Sequence, residues 1–381
     1  MRLLFTSYAG SPEFTDPAAW LARIEGYTGI LECLAKQHEV TGIERIDYEG
    51  EQEQQGVHYI FIRQRRRVRR FPFRLHRLIK ELKPDVIFIN GFVFPLQLIQ
   101  LRLQLGNGVR IIILHRSEKP FSGYKRYLQR LADRCLDAYF FTSAGFGDDF
   151  IEKGIIESRD KCYEIIPGSS IFTPREKQYA KASLQLGGSP LYLWVGRLDK
   201  NKDPVTVVKA FLRFSEFLPQ ARLYMIYQDE ELLGDIRGLL EMDKGNVSSV
   251  QLVGQMEHGA LESWYNAADF ILSGSHYEGG GMAVCEAMSC GCIPVVTDIT
   301  AFRRVTGEGE CGLLYEPGNE EALLDALLKT TGMDIPAEQE KVKELFRREL
   351  SFEAIARKTN DVLKGLFKIA GMLLLLFISC A

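Results

Sequence analysis

The sequence predicts an α/β protein of two domains, each built on a parallel β-sheet that is covered by helices. Short apolar runs alternate with helical patterns in the first half of the chain, and a second series of the same kind begins near residue 191. Strands that alternate with helices favour parallel sheets. The chain has 381 residues, of which 46% are apolar, and this is enough for two hydrophobic cores.

The first domain is expected to span residues 1–170. Apolar runs predict its strands, and periodic patterns predict the helices between them. The predicted strands are 2–6, 39–44, 57–62, 85–90 and 109–114, and the predicted helices are 18–36, 73–82, 94–105 and 122–136.

A linker is expected over residues 171–190, because the sequence PGSSIFTPREKQYA is rich in turn formers and polar residues. The second domain is then expected over 191–350. It is followed by a helix at 351–368 and by an apolar tail at 369–381. The predicted strands of the second domain are 191–195, 222–227, 249–253, 269–273, 293–297 and 312–315.

Two glutamates, Glu278 and Glu286, bracket the run EGGGMAVCE directly after a buried-looking strand. On a helix their carboxylates would lie roughly 12 Å apart. Glycosidase carboxylates that act at one carbon lie about 5 Å apart in retaining enzymes and about 6.5–9.5 Å apart in inverting ones. The spacing therefore suits the two ends of one long ligand, although a glutamate pair at this spacing also arises by chance.

Three glycines, Gly279, Gly280 and Gly281, precede a helix predicted to begin at Met282. Glycines let the backbone approach a ligand closely, and the free amides of a helix start favour an anion such as a phosphate. A sugar at one end, a phosphate in the middle and a ribose at the other end make a sugar nucleotide.

Two cations follow the apolar strand LYLWV, namely Arg197 and Lys202. Ligands bind at strand ends in open α/β sheets. Here the cations would hold a diphosphate and neutralise its growing charge as a glycosidic bond breaks, so that no metal cofactor is required. The alternative is a solvated loop with ordinary surface charges.

The segments VGRLDKNK, SHYEGGGMAVCEAMSCGCIPVV and CGLLYEPGNEEAL resemble motifs of the retaining GT-B glycosyltransferases of family 4, also called glycosyl transferases group 1. The resemblance implies two Rossmann-like domains that face each other across a cleft, and it implies that the helix at 351–368 returns toward the first domain. It also implies that Glu278 contacts the donor sugar, Glu286 the ribose, and Arg197 with Lys202 the diphosphate. Ser275 matches a small residue that usually precedes the first glutamate, and its hydroxyl can equally satisfy a turn.

Two residues of the first half match weaker marks of this family. His115 follows the strand RIIIL, where the family often has a histidine near the donor sugar and the acceptor. It can act as a catalytic residue or simply bond a carbonyl. Gly10, after the first strand, corresponds to a glycine whose amide approaches the diphosphate, although the usual double glycine is absent.

The net charge of −3 argues against a general polyanion binder, yet nine basic residues cluster without an acid between positions 63 and 80. Such a run is usually a solvated face, and it can also dock on anionic lipid or nucleic acid. The nearby Phe71 and Phe73 favour the membrane. The run comprises Arg63, Arg65, Arg66, Arg67, Arg69, Arg70, Arg74, Arg77 and Lys80.

The eight cysteines show neither paired metal-ligand spacing nor a disulfide framework, which suggests reduced thiols. The chain opens on a strand rather than on a signal peptide, so a cytoplasmic location is expected, with peripheral association at the inner face of the membrane as an option. The apolar tail is shorter than the roughly 20 residues that span a bilayer. A packed helix or a membrane-surface segment is favoured.

The sequence thus predicts a glycosyltransferase that uses a nucleotide diphosphate sugar and a glycan or lipid-linked acceptor. The family resemblance implies that it is a retaining hexosyltransferase and that it acts in the assembly of surface polysaccharide or lipopolysaccharide. No specific nucleic-acid partner is expected. One alternative is an epimerase or phosphorylase on the same scaffold. The other is a non-catalytic membrane or nucleic-acid binding module that uses the arginine run.

Overall fold

A computed structural model describes residues 1–63, 71–242 and 249–379, with side chains described through residue 368. The chain divides into two compact units. The first unit comprises Met1–Ser169 and Phe352–Ala381, and the second comprises Ser170–Ser351.

The first unit contains an eight-stranded sheet in the order β3-β4-β2-β1-β5-β6-β7-β8. Strand β3 runs antiparallel to β4, and all other neighbouring strands are parallel. All five strands predicted for this half are confirmed within one residue at each end. The strands are β1 Arg2–Ser7, β2 Glu39–Glu44, β3 Gly50–Gln54, β4 Val57–Phe61, β5 Val86–Asn90, β6 Arg110–Leu114, β7 Ala138–Phe141 and β8 Cys162–Glu164.

Helices join these strands and cover the sheet. The helix predicted over 18–36 is divided in two at Ile24, which ends one helix and precedes the next. The core includes a stacked ring pair from adjacent strands, Phe5 and Phe88, with ring centroids 4.4 Å apart. The helices are α1 Pro17–Arg23, α2 Glu25–Ala35, α3 Phe73–Leu82, α4 Pro95–Leu105, α5 Gly123–Asp133 and α6 Ala144–Glu152.

The second unit contains a six-stranded parallel sheet in the order β11-β10-β9-β12-β13-β14. Central strands such as β9 and β13 are mostly or wholly buried, as expected where helices cover both faces. All six predicted strands are confirmed. They are β9 Leu191–Gly196, β10 Arg222–Tyr227, β11 Val250–Gly254, β12 Phe270–Ser273, β13 Ile293–Thr297 and β14 Leu313–Tyr315.

The helices of the second unit begin at recognisable sequence signals. The side chains of Asp203, Asn319 and Asp334 accept hydrogen bonds from backbone amides in the first turns of α8, α13 and α14. Pro204 follows the cap of α8. Proline has no N–H group, and at this position such a group would have no acceptor within the helix. The helices are α7 Lys177–Ser183, α8 Pro204–Phe217, α9 Leu233–Met242, α10 Leu261–Ala267, α11 Met282–Ser289, α12 Thr300–Val305, α13 Glu320–Thr330 and α14 Ile335–Leu345.

The segment 171–190, expected as a linker, lies within the second unit. It contains α7, which packs against α10. Lys177 forms an ion pair with Asp269, and the backbone amide of Arg175 donates to Asn266. The polar residues of this segment therefore bond to the second unit, and the chain passes from one unit to the other at Ser169–Ser170.

The last helix, α15 Phe352–Ser379, belongs to the first unit, where it packs against α2. A Cβ atom at Gly29 of α2 would lie 2.6 Å from the ring of Phe352, so the glycine permits this close approach. The side chains of the predicted apolar tail lie outside what the structure describes. In the described part of the chain, no helix combines the length and apolarity needed to cross a membrane.

Candidate active site

The candidate site lies where two neighbouring strands of the second sheet end. The loops after β9 and β12 meet there, since carboxyl ends of parallel strands share one edge. A Cβ atom at Gly274 would lie 2.9 Å from the carbonyl oxygen of Asp203, so only glycine allows this contact. The amide of His276 donates to the carbonyl of Asn201 at 2.8 Å, and the Asn201 side chain donates to the carbonyl of Tyr277 at 3.0 Å.

Glu278 is held by partners from both loops. The Lys202 ammonium forms an ion pair with Glu278 Oε1, and the Ser275 hydroxyl donates to the same oxygen at 2.7 Å. Both charged side chains are largely shielded from solvent, and Ser275 is buried. Among the described residues, no hydrogen bond to Glu278 Oε2 is recorded. The arrangement fixes the carboxylate while leaving one oxygen for a ligand.

Lys202 therefore contacts Glu278, a pairing that the sequence did not suggest. Its backbone amide also donates to Asp199 at 2.9 Å, which fixes the turn that carries it. Arg197 lies in the same loop with an exposed side chain, and it forms an ion pair with Asp199 at 3.3 Å. The loop thus brings two cations to this edge of the sheet, one fixed and one accessible.

The glycine run leads into α11 as the sequence predicts. Gly281 has a φ of +59° in the left-handed region, and a Cβ atom there would lie 2.7 Å from the ring of Phe302. Both conditions require glycine. The N-cap Gly281 has no side chain, and no side chain of the described residues bonds the first amides of α11, so these amides and the positive end of the helix dipole remain available to an anion. Met282 begins the helix with a partly exposed side chain.

Glu286 lies on α11 and is almost completely buried. Its Oε1 bonds His258 Nε2 at 2.8 Å, and its Oε2 accepts from the Tyr265 hydroxyl at 3.1 Å. Burial, and then the neighbouring carboxylate, raise the pKa of Tyr265 well above its usual value, so the phenol stays a neutral donor. Glu278 and Glu286 have separate hydrogen-bond partners, and the expectation that they do not act at one atom stays a prediction.

Sequence reasoning missed the partners of Glu286. His258 lies in the short turn that precedes α10, and Tyr265 lies on that helix. They are 28 and 21 residues away from Glu286 along the chain. No spacing rule links residues on different helices, so only the packing of α10 beside α11 identifies them.

His115 is buried in the first unit, with 1% of its surface exposed. Its Nε2 donates to the carbonyl of Glu118 at 2.9 Å, and its Nδ1 accepts from the amide of Ser117 at 3.3 Å. Burial lowers the pKa of the imidazole, which favours this neutral tautomer. A carboxylate oxygen of Glu118 also lies 3.4 Å from Nε2. Both ring nitrogens thus have partners within the first unit, and the catalytic role of His115 stays a prediction.

Gly10 lies in the loop after β1. The loop is tied at its start by a bond from the amide of Ala9 to the Ser7 hydroxyl at 3.0 Å. At its end, the amide of Ser11 donates to the carbonyl of Arg45 at 2.8 Å. Gly10 is thus at the carboxyl end of a central strand, and its contact with a diphosphate stays a prediction.

A polar cluster that the sequence did not reveal lies at the same edge of the first sheet. Trp20 Nε1 donates to Glu44 Oε2 at 2.9 Å, and desolvation raises the pKa of Glu44 to about 7. The Arg116 guanidinium donates to Asn90 Oδ1 at 2.9 and 3.1 Å and lies 5.1 Å from the centroid of the Tyr27 ring. Glu44 and Asn90 end their strands and Arg116 follows one, and this position at strand ends was the only sign of the cluster in the sequence.

The arginine-rich segment is only partly described. Arg65, Arg66, Arg67, Arg69 and Arg70 lie outside the described residues. No acidic residue lies within the run itself, but acidic residues from elsewhere in the first unit and from the next turn of α3 pair with three of its arginines. The recorded ion pairs are Arg63–Asp47 at 2.7 Å, Arg74–Glu49 at 2.7 Å and Arg77–Glu81 at 2.8 Å.

Comparison with known proteins places these features in a family. The family described as Glycosyl transferases group 1 matches residues 176–344, which include the whole site in the second unit. Glycosyltransferase Family 4 matches residues 28–163 of the first unit. The chain belongs to glycosyltransferase family 4. The prediction from the three motifs is confirmed.

Two relatives of this family 4 protein show how far the similarity extends. A phosphatidyl-myo-inositol mannosyltransferase of Mycobacterium leprae is 30% identical over 41% of this chain and 42% of its own length. A GDP-mannose:cellobiosyl-diphosphopolyprenol alpha-mannosyltransferase of Xanthomonas campestris is 25% identical over 82% of this chain and 75% of its own length. The chain thus matches less than half of the mycobacterial protein.

Solved structures confirm the fold. Anabaena HepE, determined in complex with UDP, superposes with a TM-score of 0.71 over 96% of this chain and 100% of its own, at 15% identity. The family 4 protein therefore has the GT-B fold that the sequence predicted.

Proposed function

We propose that this protein transfers a sugar from a nucleotide diphosphate sugar to a hydroxyl of a glycan or lipid-linked acceptor, with retention of anomeric configuration. The observation that carries the proposal is the fixed Glu278 carboxylate beside Lys202, next to the uncapped start of α11. Family membership supports glycosyl transfer.

The second unit supplies the donor-binding groups in this proposal. Glu278 Oε2 accepts a hydrogen bond from a hydroxyl of the donor sugar, while Ser275 and Lys202 bind the other carboxylate oxygen. The diphosphate lies against the first amides of α11, with Lys202 and the exposed Arg197 neutralising its charge. The Glu286 carboxylate accepts a hydrogen bond from a ribose hydroxyl, and His258 and Tyr265 fix the orientation of this carboxylate.

The proposed reaction breaks the bond between the anomeric carbon and the diphosphate oxygen, and it forms a bond from that carbon to the acceptor oxygen on the same face. The acceptor proton passes to the departing diphosphate. Charge grows on the diphosphate as the bond breaks, so fixed cations and amides there stabilise the transition state more than the ground state. In this scheme no residue forms a covalent bond to the sugar and no metal cofactor takes part.

The acceptor is proposed to bind the first unit at the carboxyl ends of its strands, where Glu44, Asn90 and Arg116 gather. The relative from Xanthomonas campestris carries a lipid-linked diphosphopolyprenol acceptor in its name. By analogy we propose a lipid-linked acceptor, a role in surface polysaccharide or lipopolysaccharide assembly, and action at the inner face of the membrane.

The test combines donor binding with transfer. The purified chain is melted in the presence of UDP, GDP, ADP, CMP and their sugar conjugates, with and without EDTA, to find the donor that stabilises it. Transfer from that donor is then measured for the wild type and for Glu278→Ala, Lys202→Ala and the control Glu216→Ala, an exposed acid on α8 of the same unit. NMR of the product gives the anomeric configuration.

Glu278→Ala should reduce transfer about 100-fold or more, because a fixed polar contact to the reacting sugar is lost. Lys202→Ala should remove stabilisation by the nucleotide diphosphate, and Glu216→Ala should match the wild type. A fully active Glu278→Ala variant would contradict the site assignment. Conversion of the donor sugar without an acceptor would identify an epimerase instead, and phosphate-dependent release of a sugar phosphate would identify a phosphorylase.

A further inference from the structure

Helix α5 of the first unit presents an apolar stripe to solvent. Tyr124, Tyr127 and Leu131 are 73%, 68% and 52% exposed. They are three and four residues apart, so they follow one line along the helix surface. Neighbouring α4 packs against α5 and adds Leu103, which is 80% exposed. A large exposed apolar surface of this kind marks an interaction site more often than an ordinary solvated face.

A basic stripe runs beside the apolar one. Arg126, Arg130 and Arg134 are spaced by four residues and are all exposed. Like charges at this spacing repel each other, which offsets the favourable interaction of Arg130 and Arg134 with the negative end of the helix dipole. Within the described residues no ion pair is recorded for any of the three. The arginines thus differ from those of the 63–80 run, where the recorded pairs neutralise Arg63 and Arg74.

No exposed acid interrupts this surface along α5. The only acid between residues 122 and 134 is Asp133, which is buried and accepts from the Tyr139 hydroxyl at 2.9 Å. Lys161 lies 3.3 Å from the same carboxylate. Lys125, also exposed, adds a fourth positive charge to the helix.

We propose that this surface, formed by Tyr124, Arg126, Tyr127, Arg130, Leu131 and Arg134, docks the protein on an anionic lipid bilayer. An apolar stripe beside a basic one lets a helix lie in the plane of the interface, with its apolar side in the headgroup boundary and its cations on the lipid phosphates. Tyrosine favours that boundary because it has an apolar ring and a polar end. A nucleic acid would use the cations and could stack bases on Tyr124 and Tyr127, but only a bilayer would also bury the aliphatic side chains of Leu103 and Leu131.

The proposal concerns where the protein binds, and its test needs no enzymatic activity. The full chain is floated in density gradients with vesicles of phosphatidylcholine, alone or mixed with phosphatidylglycerol. Two α5 variants are compared, Tyr124→Ser/Tyr127→Ser/Leu131→Ser and Arg130→Glu/Arg134→Glu. Two matched controls alter exposed residues of the second unit, Tyr179→Ser and Lys209→Glu/Arg237→Glu. Every variant keeps residues 369–381, so a contribution from the apolar tail is equal throughout.

The wild type and both controls should float with the anionic vesicles, and less so as salt rises. A basic residue near an anionic surface strengthens binding about fivefold, so the double arginine variant should bind roughly 25-fold more weakly or worse. The triple variant should lose the part of vesicle binding that persists at high salt, because that part depends on the apolar stripe. Circular dichroism melts identify any variant that fails to fold, and Tyr127→Ser and Arg130→Glu alone then replace it.

Equal flotation of the α5 variants and the controls would overturn the proposal, as would the absence of flotation by the wild type with anionic vesicles. Salt-sensitive binding to RNA that requires Arg130 and Arg134, without vesicle binding, would assign the surface to nucleic acid and would also overturn it.

Discussion

Single residues of the second unit carry the proposed chemistry through pairs that are largely shielded from water. Lys202 and Glu278 compensate each other's charge, and Ser275 adds a hydrogen bond to the same carboxylate. Removing one partner of such a pair leaves the other uncompensated, which costs stability as well as binding. Glu286 is fixed in the same way, with a partner on each oxygen. The two glutamates are therefore oriented before any ligand arrives.

His76 should make the first unit sensitive to acid. It is buried and bonds the Tyr8 hydroxyl at 2.9 Å, and burial lowers its pKa to about 4 from 6.5. Between those pH values the unfolded chain binds more protons at His76 than the folded chain does. The contribution of His76 to the free energy of unfolding is therefore complete above pH 6.5 and is lost as the pH falls towards 4.

The change at His76 corresponds to roughly 3 kcal/mol of unfolding free energy over this range. The variant His76→Gln can still bond Tyr8 but cannot take up this proton. Urea unfolding of both proteins at about pH 7.5 and about pH 4.5 measures the difference. If the two proteins lose equal stability on acidification, His76 does not control the response.

Two pairs of helices approach each other closely because one helix of each pair has a glycine at the contact. Gly29 on α2 lies against Phe352 of α15, and Gly281 at the start of α11 lies against Phe302 of α12. The glycine on α2 is unusual because glycine weakens a helix interior. Its presence is explained by the approach of a helix that is more than 300 residues away along the chain.

Replacing Gly29 by alanine should therefore destabilise the protein, against the usual helix preference. The new Cβ atom would lie 2.6 Å from the Phe352 ring, and such overpacking costs about 1–3 kcal/mol. Gly238 on α9 is the matched control because it has no neighbour within 4 Å of a new Cβ atom. Gly238→Ala should stabilise by about 0.5–1 kcal/mol. Denaturant unfolding compares the two, and a stabilised Gly29→Ala would contradict the prediction by showing that the Phe352 ring moves aside.

The whole molecule is built from two units of which the first is discontinuous in sequence. Its final helix, α15, comes after the entire second unit. Ala354, Ile355 and Leu363 of α15 are buried. All of the proposed donor-binding residues except Gly10 lie in the second unit, and the proposed membrane-binding surface lies in the first.

Truncation after Ser351 should destabilise the first unit selectively. Each fully buried apolar side chain contributes about 1.5–3 kcal/mol, so loss of the helix should cost about 5 kcal/mol or more. Limited proteolysis should then cleave the first unit while leaving a fragment near 170–351. Leu363→Ala should show a smaller effect of about 2–4 kcal/mol, and the exposed Lys364→Ala should show almost none. A truncated chain as resistant as the full one would contradict this role of α15.

Local pattern was enough to predict most of the fold. Strands such as β5 and β13 are continuous apolar runs, which bury both faces of a parallel sheet. Three strands were missed for identifiable reasons. β3 is polar and antiparallel at the edge, so it needs no apolar pattern, and β8 has three residues of which none is fully buried. β7 is an apolar run of four residues directly after a predicted helix, so its pattern does not stand out. Such short segments form strands only because a neighbouring strand provides hydrogen bonds.

The sequence by itself determined the family, the two sheets and the glycine-led start of α11, because these depend on residues that are close along the chain. The tertiary structure alone decided which side chains meet. It paired Lys202 with Glu278 and His258 with Glu286, and it placed His115 beside the backbone and the carboxylate of Glu118. Contacts between residues distant in sequence depend on how helices and loops pack on a sheet, and periodicity along the chain carries no record of that packing.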